Sequence, residues 1–394
     1  MVIAERNSVI RGTPGVGARL SLHDRLSVTA QRGIGCELTL DDGRRLLDLY
    51  AAEGNLPLGY GHLRLCEAIQ QQSQRLLYQD ESLSLDVREQ AAAALVDCAP
   101  DSLGQVLFAN SGTEANEYAL RIAFLATGRS TVLAVTGGEH GNSAATAALS
   151  QHSARQPYAY PRAPFNVDFI PRNDVSAVRA MIGHDVAAVI FEPVQAGAGV
   201  HDLSFEFVAA LREATRSCAA LLVADEMHTS PGRCGRFFAV ETCGIEPDML
   251  TAGMALGGGV PSGALLMRDD LATLLEPGDL QTTIGGGPLA AAAMLAVIEA
   301  IRDDNLLANV RRRESEIREF CAIGPVQRIR GAGLLLGLVC DRPAAEVRAA
   351  LLQHDILAGL TADADVLRLA PPLNLQSHDV GRLADALAQI VPSA

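Results

Sequence analysis

Four short apolar runs constrain this chain more than any other feature: Thr131–Thr136 (TVLAVT), Ala187–Phe191 (AAVIF), Leu221–Ala224 (LLVA) and Ala264–Met267 (ALLM). Each reads as a buried strand. They alternate with stretches of helical periodicity at Glu114–Ala126, Val175–Ile182 and Phe205–Ser217. Strands alternating with helices build βαβ units, so an α/β fold with a mainly parallel, doubly wound sheet is expected. Ligands of such sheets sit at the carboxyl ends of the strands, where the loops converge. The tail differs. Helical runs at Pro288–Asp303 and Leu306–Phe320 precede a strand, Gly333–Val339, and a last helix near Val380–Ile390, an α+β pattern. The expected organisation is an N-terminal arm over residues 1–50 that joins a smaller domain, a large domain over 51–290, and a C-terminal small domain over 291–394.

Composition narrows the function classes. No apolar run approaches the roughly 18 residues of a membrane span, and the N-terminus lacks the apolar core of a signal peptide. Asp+Glu outnumber Lys+Arg by 46 to 32, a net charge of −14, which disfavours a nucleic-acid partner. None of the eight cysteines forms a CxxC pair, so reduced thiols in a cytoplasmic protein are the simplest expectation. The nine histidines are scattered without metal-ligand spacing, and no metal is expected. All 32 basic residues are arginine; the 394 residues contain no lysine. Arginine stays protonated and cannot replace a lysine ε-amine as a nucleophile. A coding bias towards arginine accounts for this, and so does a protein that handles an aldehyde or another electrophile.

Several motifs carry chemistry, each with a plainer reading beside it. Asn110–Asn116 (NSGTEAN) follows a strand-like Gln105–Phe108 and opens a helix. Ser111, Gly112 and Thr113 there would offer free backbone N–H groups and the positive end of the helix dipole to an anion. The same residues also make an ordinary N-cap. Asp225 ends an apolar strand, where a carboxylate can face the protonated ring nitrogen of a pyridoxal phosphate (PLP) cofactor, or simply occupy a surface turn. Glu192–Gln195 (EPVQ) ends another strand. The triple glycines at 257–259 and 285–287 are permissive turns.

Taken in order, these pieces closely resemble the class III aminotransferases, PLP enzymes of fold type I with ornithine, acetylornithine and glutamate-1-semialdehyde branches. The resemblance runs from Gly35–Gly43 (GCELTLDDG) through Leu58–His62 (LGYGH), Asn110–Asn116, His140-Gly141, Glu192–Gln195 and Asp225–Thr229 (DEMHT). It continues through Gly232-Arg233, Pro247-Asp248, Leu256–Pro261, Thr282-Thr283 and Gly286–Ala290 to Val366–Leu373 (VLRLAPPL). It implies that Gly112 and Thr113 bind the cofactor phosphate, that Asp225 faces the pyridine nitrogen and that Met227 packs on the ring. His228 stands where the family usually has Gln, near the ring hydroxyl. Thr283 matches the Thr that reaches the neighbouring subunit's cofactor, which implies a homodimer with shared sites. Arg368 matches an Arg that binds a substrate carboxylate in some branches, and His140 and Gln195 line the substrate side.

Three departures bear on function. Where the family has its Schiff-base Lys, the run Thr251–Leu256 (TAGMAL) places Met254. A thioether can neither form an imine nor carry the proton of a 1,3-shift. The aromatic ring stacker before His-Gly is Glu139, and Gly197 stands where ornithine-type members often keep a Glu. Conventional transamination is therefore not expected. One reading is a repurposed enzyme acting on an amine- or aldehyde-bearing small molecule. It would use non-covalently held pyridoxal or pyridoxamine phosphate, or no cofactor, with Glu139 and His228 as acid–base groups. Fold type I sugar dehydratases with His in place of Lys offer a parallel. A second reading is a non-catalytic homologue serving as partner or scaffold. A third is an engineered Lys-to-Met variant of an ordinary transaminase.

Overall fold

The computed structural model describes residues 26, 28–80, 82–151 and 163–391, with the backbone alone at 254. Residues 1–25 of the expected N-terminal arm lie outside them. The centre is a seven-stranded sheet in the order Gln105–Ala109, Gly263–Met267, Met249–Ala252, Leu221–Asp225, Val186–Phe191, Thr131–Val135, Asn166–Ile170. From Met249–Ala252 to Asn166–Ile170 every neighbouring pair is parallel; Gly263–Met267 runs antiparallel to both its neighbours. The expected mainly parallel α/β sheet is thus present, with one reversed strand. Its central strands are buried along their whole length, which explains their unbroken apolar runs.

Local chemistry starts the helices that cover the sheet. Ser111 Oγ accepts the Glu114 N–H at 3.2 Å and opens the helix Gly112–Thr127, which ends at left-handed Gly128. Asp174 caps Val175–Met181 through the N–H groups of Ser176 and Ala177, and Ser204 caps Phe205–Cys218 through that of Phe207. The buried Phe191 and Phe207 belong to one large apolar core that runs from this sheet into the tail. The helices Pro288–Asp303 and Leu306–Phe320 occur with the bounds read from the sequence.

Two four-stranded sheets and a two-stranded ladder, Val194–Gln195 with His201–Asp202, complete the fold of the described residues. One joins Ala30–Ile34, Glu37–Leu40 and Arg45–Asp48 to the two-residue strand Ile356–Leu357 from the tail. The other orders Val326–Ala332, Leu335–Cys340, Val366–Leu369 and Gly359–Leu360. The strand expected at Gly333–Val339 begins two residues later, because Gly333 (φ +58°) and Leu334 turn the chain between two antiparallel strands.

Candidate active site

The carboxyl ends of four central strands bring most of the expected residues together. Asp225, the last residue of its strand, is buried, and its Oδ2 receives the Asn116 amide Nδ2 at 2.8 Å. The same oxygen pairs with His140 Nδ1 at 2.7 Å, while Oδ1 accepts the Met227 N–H at 3.0 Å. Asn116 is itself oriented: it donates to the His140 carbonyl at 2.9 Å and accepts from Thr251 Oγ1 at 2.6 Å. A carboxylate surrounded by donors in this way keeps a fixed position without a ligand. His140, expected on the substrate side, is drawn to Asp225 by this pairing and is fully buried; its Nε2 has no partner among the described residues.

The head of the helix Gly112–Thr127 lies beside this network. Ser111 spends its hydroxyl lone pair on the N-cap, so an anion would meet the backbone N–H groups of Gly112 and Thr113, which have no acceptor within the helix. A Cβ on Gly112 would lie 2.1 Å from Met227 Sδ and 3.5 Å from Gly253 Cα. Met227, Gly112 and the backbone just before Met254 therefore meet at one point. A Cβ on Gly141 (φ +129°) would strike Thr113 Oγ1 at 2.6 Å and Thr146 Oγ1 at 2.7 Å. Only glycine at both places leaves this cradle open.

Glu139, at the family's ring-stacker position, faces His228, the other residue expected as an acid–base group. Glu139 Oε2 stands 3.8 Å from His228 Nε2, both side chains partly open to solvent. The Glu139 N–H is anchored on Glu192 Oε1 at 2.8 Å. Burial, reinforced by the negative charges of Asp225 and Glu139, pushes the Glu192 carboxyl well above its ordinary range. Glu192 Oε2 and Gln195 Oε1 are buried without partners, while Gln195 Nε2 donates to the Val135 carbonyl at 3.4 Å.

Two expected residues lie apart from this cluster. Thr283 is exposed, and its carbonyl accepts the Tyr78 hydroxyl at 2.5 Å; its neighbour Thr282 receives Asn110 Nδ2 at 2.8 Å. Arg368 is partly engaged, through Nη2, while its Nε is buried without a partner among the described residues. It donates to the Tyr50 hydroxyl at 2.9 Å, lies 5.1 Å from the Tyr50 ring centre and 3.5 Å from Glu53 Oε1. Asn116 and Thr251 were not assigned roles from sequence, although Asn116 closes the helix-opening motif and Thr251 opens the run that contains Met254. Among the described residues, no group of three His, Cys, Asp or Glu side chains is placed to hold a metal.

The glycine cradle, the free N–H pair, the oriented Asp225 and the unpartnered His140 Nε2 fit a phosphorylated pyridine. Comparison with known proteins places the chain in a family. The profile described as Aminotransferase class-III matches residues 21–391. The acetylornithine aminotransferase of Methanopyrus kandleri is 35% identical over 376 residues, covering 93% of this chain and 96% of that protein. That of Streptomyces coelicolor is 37% identical over 368 residues, covering 92% and 90%. Among solved structures, the ornithine aminotransferase of Toxoplasma gondii, whose active site holds PLP at partial occupancy, superposes with a TM-score of 0.86. It is 26% identical and the match covers 93% of this chain and 92% of that one. By profile, sequence and fold alike, this chain belongs to the class III aminotransferases.

Proposed function

We propose that this chain holds pyridoxal or pyridoxamine phosphate without a covalent tether and moves protons on an amine- or carbonyl-bearing small molecule. The observation that carries the reading is the Glu139–His228 pair, 3.8 Å apart beside the Asp225 network, in a chain with no lysine to do that work. Gly112 and Thr113 would hold the phosphate through their N–H groups, Asp225 would face the ring nitrogen, and Met227 would pack on the ring. When bound, the pyridine supplies an electron sink to the carbon bearing the substrate nitrogen. Glu139 accepts the proton from that carbon at its carboxylate, and His228 Nε2 shares or returns it. Asn116 and His140 keep Asp225 in place. Thr283 would serve the site of a second copy. It is exposed beside Ile284, Tyr78 and Leu77, apolar side chains that a homodimer would cover.

Titration with PLP and with pyridoxamine phosphate, followed by absorbance and calorimetry, tests the seat. Saturable binding is expected, with no covalent label after borohydride reduction; Met254→Lys should become labelled. Failure of both ligands to bind overturns the cofactor reading. Proton exchange from the α-carbon of small amines in the presence of PLP tests the chemistry. Glu139→Gln and His228→Ala should each slow it by about 100-fold or more, and full activity in both variants removes them from the mechanism. A second reading, a non-catalytic homologue acting as partner or scaffold, is favoured by one observation: Arg368 Nη2 is already engaged by Tyr50 and Glu53. It requires that no exchange occurs at all.

A further inference from the structure

Next to the crevice, beyond the Glu139–His228 pair, two arginines flank a loop almost without side chains. Arg172 lies two residues past the strand Asn166–Ile170. Its Nη2 is 3.2 Å from where a Cβ on Gly137 would stand, and Gln195 Oε1 is 3.4 Å from the same point. Arg330 comes from the strand Val326–Ala332. Its Nε donates to the Gly199 carbonyl at 2.6 Å and its Nη2 to Asp363 Oδ2 at 2.8 Å. Between them run Ala196, Gly197, Ala198 and Gly199, with Ala198 against the Gly137 position and Gly199 against Arg330. His201 follows, paired in register with Gln195 across a two-residue antiparallel ladder.

The charges in this corner do not balance. Arg330 has Asp363 as a partner, whereas Arg172, half-buried, makes no hydrogen bond or ion pair among the described residues, and its Nε is buried without an acceptor. A guanidinium Nε buried without an acceptor, beside a second guanidinium, is costly unless an anion completes it. The same field reaches His201. Burial first, and then Arg172 and Arg330, push its imidazole down to about 4, against a smaller opposing pull from Asp363 and Asp202. Facing Arg172 from the crevice, the unpartnered Gln195 Oε1 offers an acceptor to a donor on the same ligand.

The geometry points to an oxyanion seat: Arg172, completed by the free edge of Arg330, takes the carboxylate or phosphoryl group of a small molecule whose remainder reaches past Gln195 towards Glu139. The seat goes beyond the cofactor reading and does not depend on it, because the anion of the cofactor is assigned to Gly112 and Thr113, on another strand end.

His201 is a local reporter. Protein labelled on its histidine rings is titrated with inorganic phosphate and, separately, with acetate, and the His201 signal is assigned by its loss in His201→Gln. Saturable movement of that signal is expected with at least one of the two anions, together with an upward shift of its titration midpoint by about one unit as positive charge is neutralised. The comparison of phosphate with acetate tells which oxyanion fits. Arg172→Gln, which breaks no bond among the described residues, should raise the midpoint without ligand and weaken the anion response at least about tenfold, roughly one lost charge-assisted bond. A His201 signal that ignores both anions overturns the seat, and so does an unchanged response in Arg172→Gln. A protein that fails to bind PLP but shows the His201 response loses the cofactor reading and keeps this one.

Discussion

The two sides of the crevice treat their polar groups in opposite ways. Around Asp225, a buried carboxylate is fixed by Asn116, His140 and the Met227 N–H, and Asn116 is fixed in turn by Thr251, with His140 Nε2 alone left unpartnered among the described residues of this network. From Glu192 through Gln195 to Arg172, buried polar atoms stand without partners. The first side is built to keep its shape whether or not a ligand is present. The second has lone pairs and donors that only a ligand would complete, so its polarity reports on what binds. The difference implies that stability should reside in the Asp225 side and ligand selection in the other.

The largest expected effect tests that division directly. Asp225→Ala leaves His140 Nδ1 and Asn116 Nδ2 buried without their acceptor, and breaking such a buried pair typically costs about 3–5 kcal/mol. Glu139→Gln, on a partly exposed side chain, should change stability by less than about 1 kcal/mol. Urea denaturation of the two variants makes the comparison, and similar losses in both would erase it. Gly141→Ala comes next. Its Cβ would collide with the hydroxyls of Thr113 and Thr146 at a left-handed backbone, so about 2 kcal/mol of stability should be lost. The phosphate cradle should weaken with it, read as a higher Kd for PLP.

Much of this architecture could be read from residue patterns, because the central strands are buried on both faces and the helices are amphipathic. Leu221–Asp225 and Phe205–Cys218 fall within a residue of the expected spans. The strand Val326–Ala332 escaped because it carries Arg328 and Arg330 and is only partly buried. Met249–Ala252 escaped because four residues show no period. In the site, Asp225 was legible as a carboxylate ending an apolar run. Glu139, His228 and Met254 stood out only against the family pattern. Arg172, Arg330 and His201 were invisible: they come from three separate elements, share no motif, and become a cluster only where the chain folds them round the loop 196–200.

The unmatched side should also show in the pH dependence of stability. In the folded chain the His201 imidazole is depressed to about 4, below the roughly 6.5 of an unfolded chain. Above both values the group is neutral in either state and contributes nothing. As pH falls from about 6.5 towards 4 the unfolded chain takes up the proton first, and stability is lost. His201→Gln should therefore retain more of its pH 7.5 stability at pH 5 than the parent does. His201 is only partly buried, so solvent screening limits the difference to about 1 kcal/mol, a gap that denaturation curves at the two pH values resolve. Equal losses in variant and parent would mean that Arg172 is compensated.

The smallest energetic effect belongs to Glu53, yet it discriminates between readings of the pocket. Glu53 reaches Arg368 from a turn in which Ala51, Ala52 and Glu53 itself all adopt positive φ, of 45°, 51° and 67°. Three non-glycine residues in the left-handed region store strain of order 1 kcal/mol each, and that strain persists only where surrounding contacts hold the turn. Gly54 supplies one such contact, its carbonyl accepting Arg233 Nη2 at 2.9 Å. Because the Glu53 side chain is more than half exposed, Glu53→Gln should alter stability by less than about 0.5 kcal/mol. Its effect should appear in binding instead. With Tyr50 as its remaining partner, Arg368 regains donors for a carboxylate, so the variant should bind 4-aminobutyrate or ornithine more tightly than the parent by calorimetry. Unchanged affinity would mean that Arg368 is closed by Tyr50 alone, and carboxylate recognition would then rest with Arg172 and Arg330 on the unmatched side.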